Sequence, residues 1–128
     1  MQRREVEQLR VQVLHLHKAL VDDARVEVER VEGRLTPHTF LDRLLHDPAF
    51  AWLKPLSALI VAFDEWLDDE AAEPAAAAEL AGELRRLLVP DAAGDPFQQR
   101  YAELLPRNPA IVLAHAAALR AAPAAASP

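Results

Sequence analysis

Six times in this chain a proline stands where a helix can begin. A proline at the first helical position loses nothing, since its φ is already helical and the N–H it lacks would be unpaired there. Four of the six follow a residue whose side chain can cap the new helix: Thr36-Pro37, Asp47-Pro48, Asp95-Pro96 and Asn108-Pro109. Lys54-Pro55 and Glu73-Pro74 are weaker versions of the same signal. A chain punctuated in this way reads as a series of helices joined by short turns.

The hydrophobic spacing between these marks agrees. Val6, Leu9, Val13, Leu16, Leu20, Ala24, Val28, Val31 and Leu35 recur at intervals of three and four, which predicts a first helix from about Arg4 to Arg34 with Gly33 near its stop. A second, about Pro37 to His46, presents Phe40, Leu41, Leu44 and Leu45. A third segment starts at Pro48, is kinked or interrupted at Pro55, and continues from Leu56 with Leu59, Ile60, Phe63 and Leu67 on one face. An alanine-rich helix from Pro74 to Leu88 follows, then an acidic loop around Gly94 and two last helices, Pro96–Leu105 and Pro109–Ala121. The expectation is an all-α, compact helical bundle of about six helices with a long N-terminal helix. It forms one domain over residues 1–121, and the Ala/Pro-rich tail 122–128 has nothing to pack against and is expected to be disordered.

Composition narrows the classes. At 128 residues, 52% hydrophobic and 27% charged, the chain can bury a real core, and the scarcity of glycine favours helix. Without cysteine there is no disulfide, thiolate metal site or cysteine nucleophile. Twenty acidic residues against fourteen basic ones, with the arginines scattered, argue against nucleic-acid binding. No apolar run approaches the ~18 residues of a membrane helix, and the start turns straight into a charged amphipathic pattern, so the expected address is cytoplasmic.

The runs Leu16-His17-Lys18-Ala19-Leu20 with Asp22 and Gly33-Arg34, and Leu44-Leu45-His46-Asp47-Pro48-Ala49-Phe50-Ala51-Trp52-Leu53-Lys54-Pro55-Leu56-Ser57 with Asp64-Glu65, carry a resemblance. They look like the opening of a family of small all-helical bacterial proteins of uncharacterised function. The similarity covers the first half, and Phe97 to His115 more loosely. It implies a helical fold and brings no reaction, cofactor or site with it.

Three ionisable residues stand out from the solvated majority. His17 falls beside Val21, Ala24 and Val28 at the edge of the buried stripe, either as a core-edge histidine held by one hydrogen bond or as a ligand for a metal or haem. Asp64, between Ile60 and Leu67, needs a partner if partly buried, and His17, Lys18 and Arg25 are the candidates. Asp22 can serve only at the rim of such a site. His15 and His17 point about 200° apart on a helix and cannot chelate together. Asp42 and His46 share a face, as a solvated pair or as two metal ligands without a third. Asp68, Asp69, Glu70 and Glu73 read as a solvated turn or an acidic docking patch; Trp52, Trp66, Phe50 and Phe63 read as core or a pocket wall. No phosphate loop, GxSxG elbow, HExxH or Glu-x-x-His motif is present.

Two functions follow from different classes. The first is a non-enzymatic interaction or regulatory module working through helical surfaces and self-association. The alternative is a small-ligand, metal or haem binder, an enzyme included, using His17 and Asp64. Self-association has a length argument: a straight helix Arg4–Arg34 spans about 46 Å, whereas a compact domain of this size is about 36 Å across. The helix should therefore overhang or bend near Asp22-Asp23, and an overhanging amino-terminal end would leave Val6, Leu9 and Val13 to be covered by a homodimer through that helix.

Overall fold

The proline code is realised as caps. The computed structural model describes residues 1–123. Among them the α-helices are α1 (Arg3–Glu32), α2 (Pro37–His46), α3 (Lys54–Asp68), α4 (Pro74–Leu87), α5 (Pro96–Leu104) and α6 (Pro109–Ala121), with short 3-10 segments at Pro48–Leu53 and Leu105–Arg107 and no strand. Each strong cap makes its bond. Thr36 Oγ1 accepts from the Thr39 N–H at 3.1 Å, Asp47 Oδ1 from Ala49 at 2.9 Å, Asp95 Oδ1 from Gln98 at 2.9 Å, and Asn108 Oδ1 from Ala110 at 3.0 Å. Glu73 makes no such bond, and α3 starts behind Leu53, which has none to offer. Pro55 lies in the first turn of α3, so it starts that helix rather than kinking it.

α1 is the spine. It buries Val6, Leu9, Val13, Leu16 and Leu20 on one stripe against α3 and α6, and α3 in turn packs on α4. Fully burying each large aliphatic side chain is worth about 1.5–3 kcal/mol, so this seam supplies much of the driving force. Phe63, Phe97 and Tyr101 fill the centre, with Phe97 stacked on Tyr101 at a centroid distance of 5.2 Å. A smaller cluster of Ala24, Phe40 and Phe50 fastens α2 and the Pro48–Leu53 segment to the carboxyl-terminal part of α1.

Three expectations need correction. α1 ends at Glu32, because Gly33 takes φ +83°, which suits glycine, and returns its N–H to Glu29 O at 2.9 Å. Val31 therefore sits in the last turn and is 86% exposed. Val6, Leu9 and Val13 are wholly buried inside the chain, so they need no second copy to cover them; the thinly covered end of α1 is its carboxyl-terminal one. Ala122, placed in the tail by sequence, is 2% exposed, and Arg85 clasps the end of α6 through the carbonyls of Leu119, Ala122 and Pro123. The rest of that tail, 124–128, lies outside the described residues.

Candidate functional site

Seven-residue spacing on α1 places Arg3, Arg10 and His17 along one edge of the buried stripe, two helical turns apart. Their partners run down α3 in the opposite direction. The Arg3 guanidinium donates to Leu67 O, Arg10 Nε donates to Asp64, and His17 Nε2 lies 3.1 Å from Ser57 Oγ. Antiparallel packing fixes this register, since Arg10–Asp64 and His17–Ser57 have the same position sum. Asp64 is thus two turns from Ser57, about 10.5 Å along the axis, and does not meet His17. None of His17, Lys18 and Arg25 is the partner of Asp64; Arg10 is. Lys18 is held by Asp22 at 2.6 Å, and Arg25 donates to Leu35 O at 2.9 Å while lying over the Phe40 ring.

His17 is a link in a relay. Ser57 Oγ has one hydrogen, which goes to Leu53 O at 3.3 Å, so its lone pair accepts from His17 and the Nε2 of the neutral ring carries the proton. Burial pushes this imidazole below its ordinary pKa. A metal at Nε2 would have to replace that N–H. Asp42 and His46 form an exposed pair at 3.2 Å, and among the described residues no three His, Asp or Glu side chains are grouped to hold a metal ion. The acidic cluster after α3 is turn chemistry in part, with Asp69 Oδ1 accepting from Ala71 N. Trp66 is core, its indole N–H donating to Glu73 O at 2.9 Å.

A wide concavity lies elsewhere, between α1 and α6. It is an open cleft of about 750 Å³ whose α1 wall carries His15, Lys18, Ala19, Asp22, Asp23 and Val26 and whose α6 wall carries Ala110, Leu113, Ala114 and Ala117. A second depression, bordered by Val11, Gln12 and Ala117, continues it toward the amino-terminal end of α1. Of the three residues singled out from sequence, Asp22 alone borders the cleft; it is exposed. The side chain of Asp23, 13% exposed, ties the two walls: Oδ1 accepts from Asn108 Nδ2 at 2.9 Å. Its Oδ2 makes no hydrogen bond, and the Arg107 guanidinium stands 3.8 Å away. Asn108 thereby caps α6 with its oxygen and docks it on α1 with its nitrogen.

Sequence reasoning missed this cleft because adjacent Asp22 and Asp23 point 100° apart on α1, and only the inner one reaches α6. It also missed the Tyr101–His115 pair, in which the Tyr101 hydroxyl lies 2.7 Å from His115 Nδ1. Burial raises the phenol pKa and lowers that of the imidazole, so both are held neutral, with hydroxyl as donor and Nδ1 as acceptor. Both the signal and its absence are physical: an aromatic and a histidine fourteen residues apart on different helices carry no local pattern.

Comparison of the chain with protein-family models, with curated proteins and with solved structures finds no match. Among the described residues no helix is long and apolar enough to cross a membrane.

Proposed function

We propose that the protein is a non-enzymatic interaction module whose working surface is the α1–α6 face. The observation that carries this reading is Leu113, a large aliphatic side chain left 72% exposed in the wall of the α1–α6 cleft. Val11 and Val26 stand exposed on the α1 side of the same face, giving it an apolar content that a lone surface leucine would not have. The net negative charge and scattered arginines favour a protein partner over nucleic acid.

The competing reading, a small ligand, metal or haem held by His17 and Asp64, has less support, because each side chain is already engaged on its own rung of the α1–α3 seam. Protein purified with a Soret band or near-stoichiometric metal that His17→Ala removes would revive it.

A photo-crosslinking amino acid at Leu113, compared with the same group at Val61 and Val89 on other exposed surfaces, tests the interaction reading in the native host. A discrete higher-mass adduct from position 113 and none from 61 or 89 is the expected result. Adducts from the controls alone, or from none of the three, would contradict it.

A further inference from the structure

The exposed stripe of α1 that borders the cleft reads Val11, His15, Lys18, Asp22, Val26. At 100° per residue these positions fall within an arc of about 80°, so they form one ridge roughly 22 Å long. Its order is apolar, basic, basic, acidic, apolar, with Ala19 beside the middle. That order is complementary to itself when reversed. Resting on the reading of the α1–α6 face as an interaction surface, we infer that its occupant is a second copy of this chain, docked antiparallel about a two-fold axis that passes between Lys18 and Ala19.

The register follows from the axis. Positions that sum to the same value meet, so Val11 of each copy packs on Val26 of the other, His15 donates to Asp22 of the other, and Lys18 faces the small Ala19. Both ionic partners are accessible: His15 is exposed, and the Asp22 side chain is 59% exposed. The two lysines that approach the axis are each neutralised in advance, since Lys18 already holds Asp22 of its own helix at 2.6 Å and that carboxylate has capacity for a further donor. Leu113 falls at the same level. Asn108 bonds Asp23, and Ala117 borders the groove opposite Gln12, so antiparallel α6 brings Leu113 level with the centre of the ridge. There it lies beside the axis, where an isologous contact buries one copy of each residue against its mate's neighbourhood. A partner of different sequence needs no such self-complementarity; a second copy does.

Sedimentation equilibrium of the purified full chain from low micromolar to about 500 µM tests this, with circular dichroism to follow folding. The wild type should dimerise in that range. Asp22→Lys sets cation against imidazole, and His15→Glu sets carboxylate against carboxylate; each should weaken dimerisation at least tenfold. The double variant H15E/D22K restores opposite charges across the axis and should recover the wild-type constant to within a few fold. His15 and Asp22 are both exposed, so these variants should fold; Leu113→Glu on α6, also at an exposed site, gives an independent disruption should either α1 substitution unfold the chain. A wild type that stays monomeric, single variants that dimerise as well as wild type, or a double variant that fails to recover overturns the proposal. Monomeric protein that still cross-links through position 113 to another chain overturns the second copy while leaving the interaction reading intact. Loss of both results removes both.

Discussion

At His17 and His115 the side chains are packed as neutral rings. The neutral His17 already donates to Ser57, so a second proton gains no new partner there and places charge at a half-buried site, where burial disfavours it. At His115 a second proton turns Nδ1 into a donor and forces the Tyr101 hydroxyl to reverse its role. Burial holds both imidazoles below their ordinary value of about 6.5. Once the pH drops below that value the unfolded chain therefore binds more protons than the folded one, and stability present at neutral pH is lost as the pH approaches the folded values. Melting temperatures of wild type should fall by a few degrees between pH 7.5 and 5.5, and the fall should flatten in the double variant His17→Gln, His115→Gln. Glu32 and Asp47, whose carboxyls are held low chiefly by Arg43 and by the Ala49 N–H respectively, contribute a separate loss at lower pH. Asn108 makes a second prediction at this scale. Asn108→Asp keeps an oxygen for the cap yet sets a carboxylate against Asp23, and it should destabilise the protein by about 1–3 kcal/mol, the cost of a largely buried polar group left without its partner. Adding Asp23→Asn returns a donor to the pair and should recover most of that loss in a urea titration.

At the scale of elements, the helix starts were legible and the side-chain partners were not. Thr36, Asp47, Asp95 and Asn108 act locally on the N–H groups of the next turn, so their role can be read from four or five residues of sequence. Asp64–Arg10, by contrast, depends on the antiparallel register of α1 and α3, and the sequence reading chose partners one heptad and more away. Length alone could not show which end of α1 is left uncovered: α3 and α6 bury Val6, Leu9 and Val13 at the amino-terminal end, and α2 is left to cover the other. α2 is fastened through the satellite cluster of Phe40 and Phe50, by Arg25 lying over the Phe40 ring, and by Arg43 bridging Glu32 and Asp47. A unit held by so few contacts opens before the rest. Phe40→Ala should abolish amide-exchange protection over 37–46 while α1, α3 and α6 keep theirs. Its global cost should stay below the roughly 3–5 kcal/mol of a central Phe→Ala, because α2 detaches first.

For the whole molecule, the all-helical class and the order of the helices followed from spacing and caps, whereas the surface proposed to matter did not. A cleft between the second half of α1 and antiparallel α6 exists only after Asp23 and Asn108 have joined across 85 residues of sequence. Val26 in its wall and Val11 in the adjoining depression lie off the buried stripe and look like ordinary surface valines until Leu113 is set beside them. The central claim is that two copies of the protein meet through this face and through no other exposed apolar patch. Methyl spectra of selectively labelled protein, recorded while it is diluted from millimolar to low micromolar, test it most directly. The signals of Val11, Val26 and Leu113 should shift together with one dissociation constant while Leu45, Val61 and Val89 hold still. Spectra unchanged by dilution, or shifts centred on Leu45, Val61 or Val89, would contradict it.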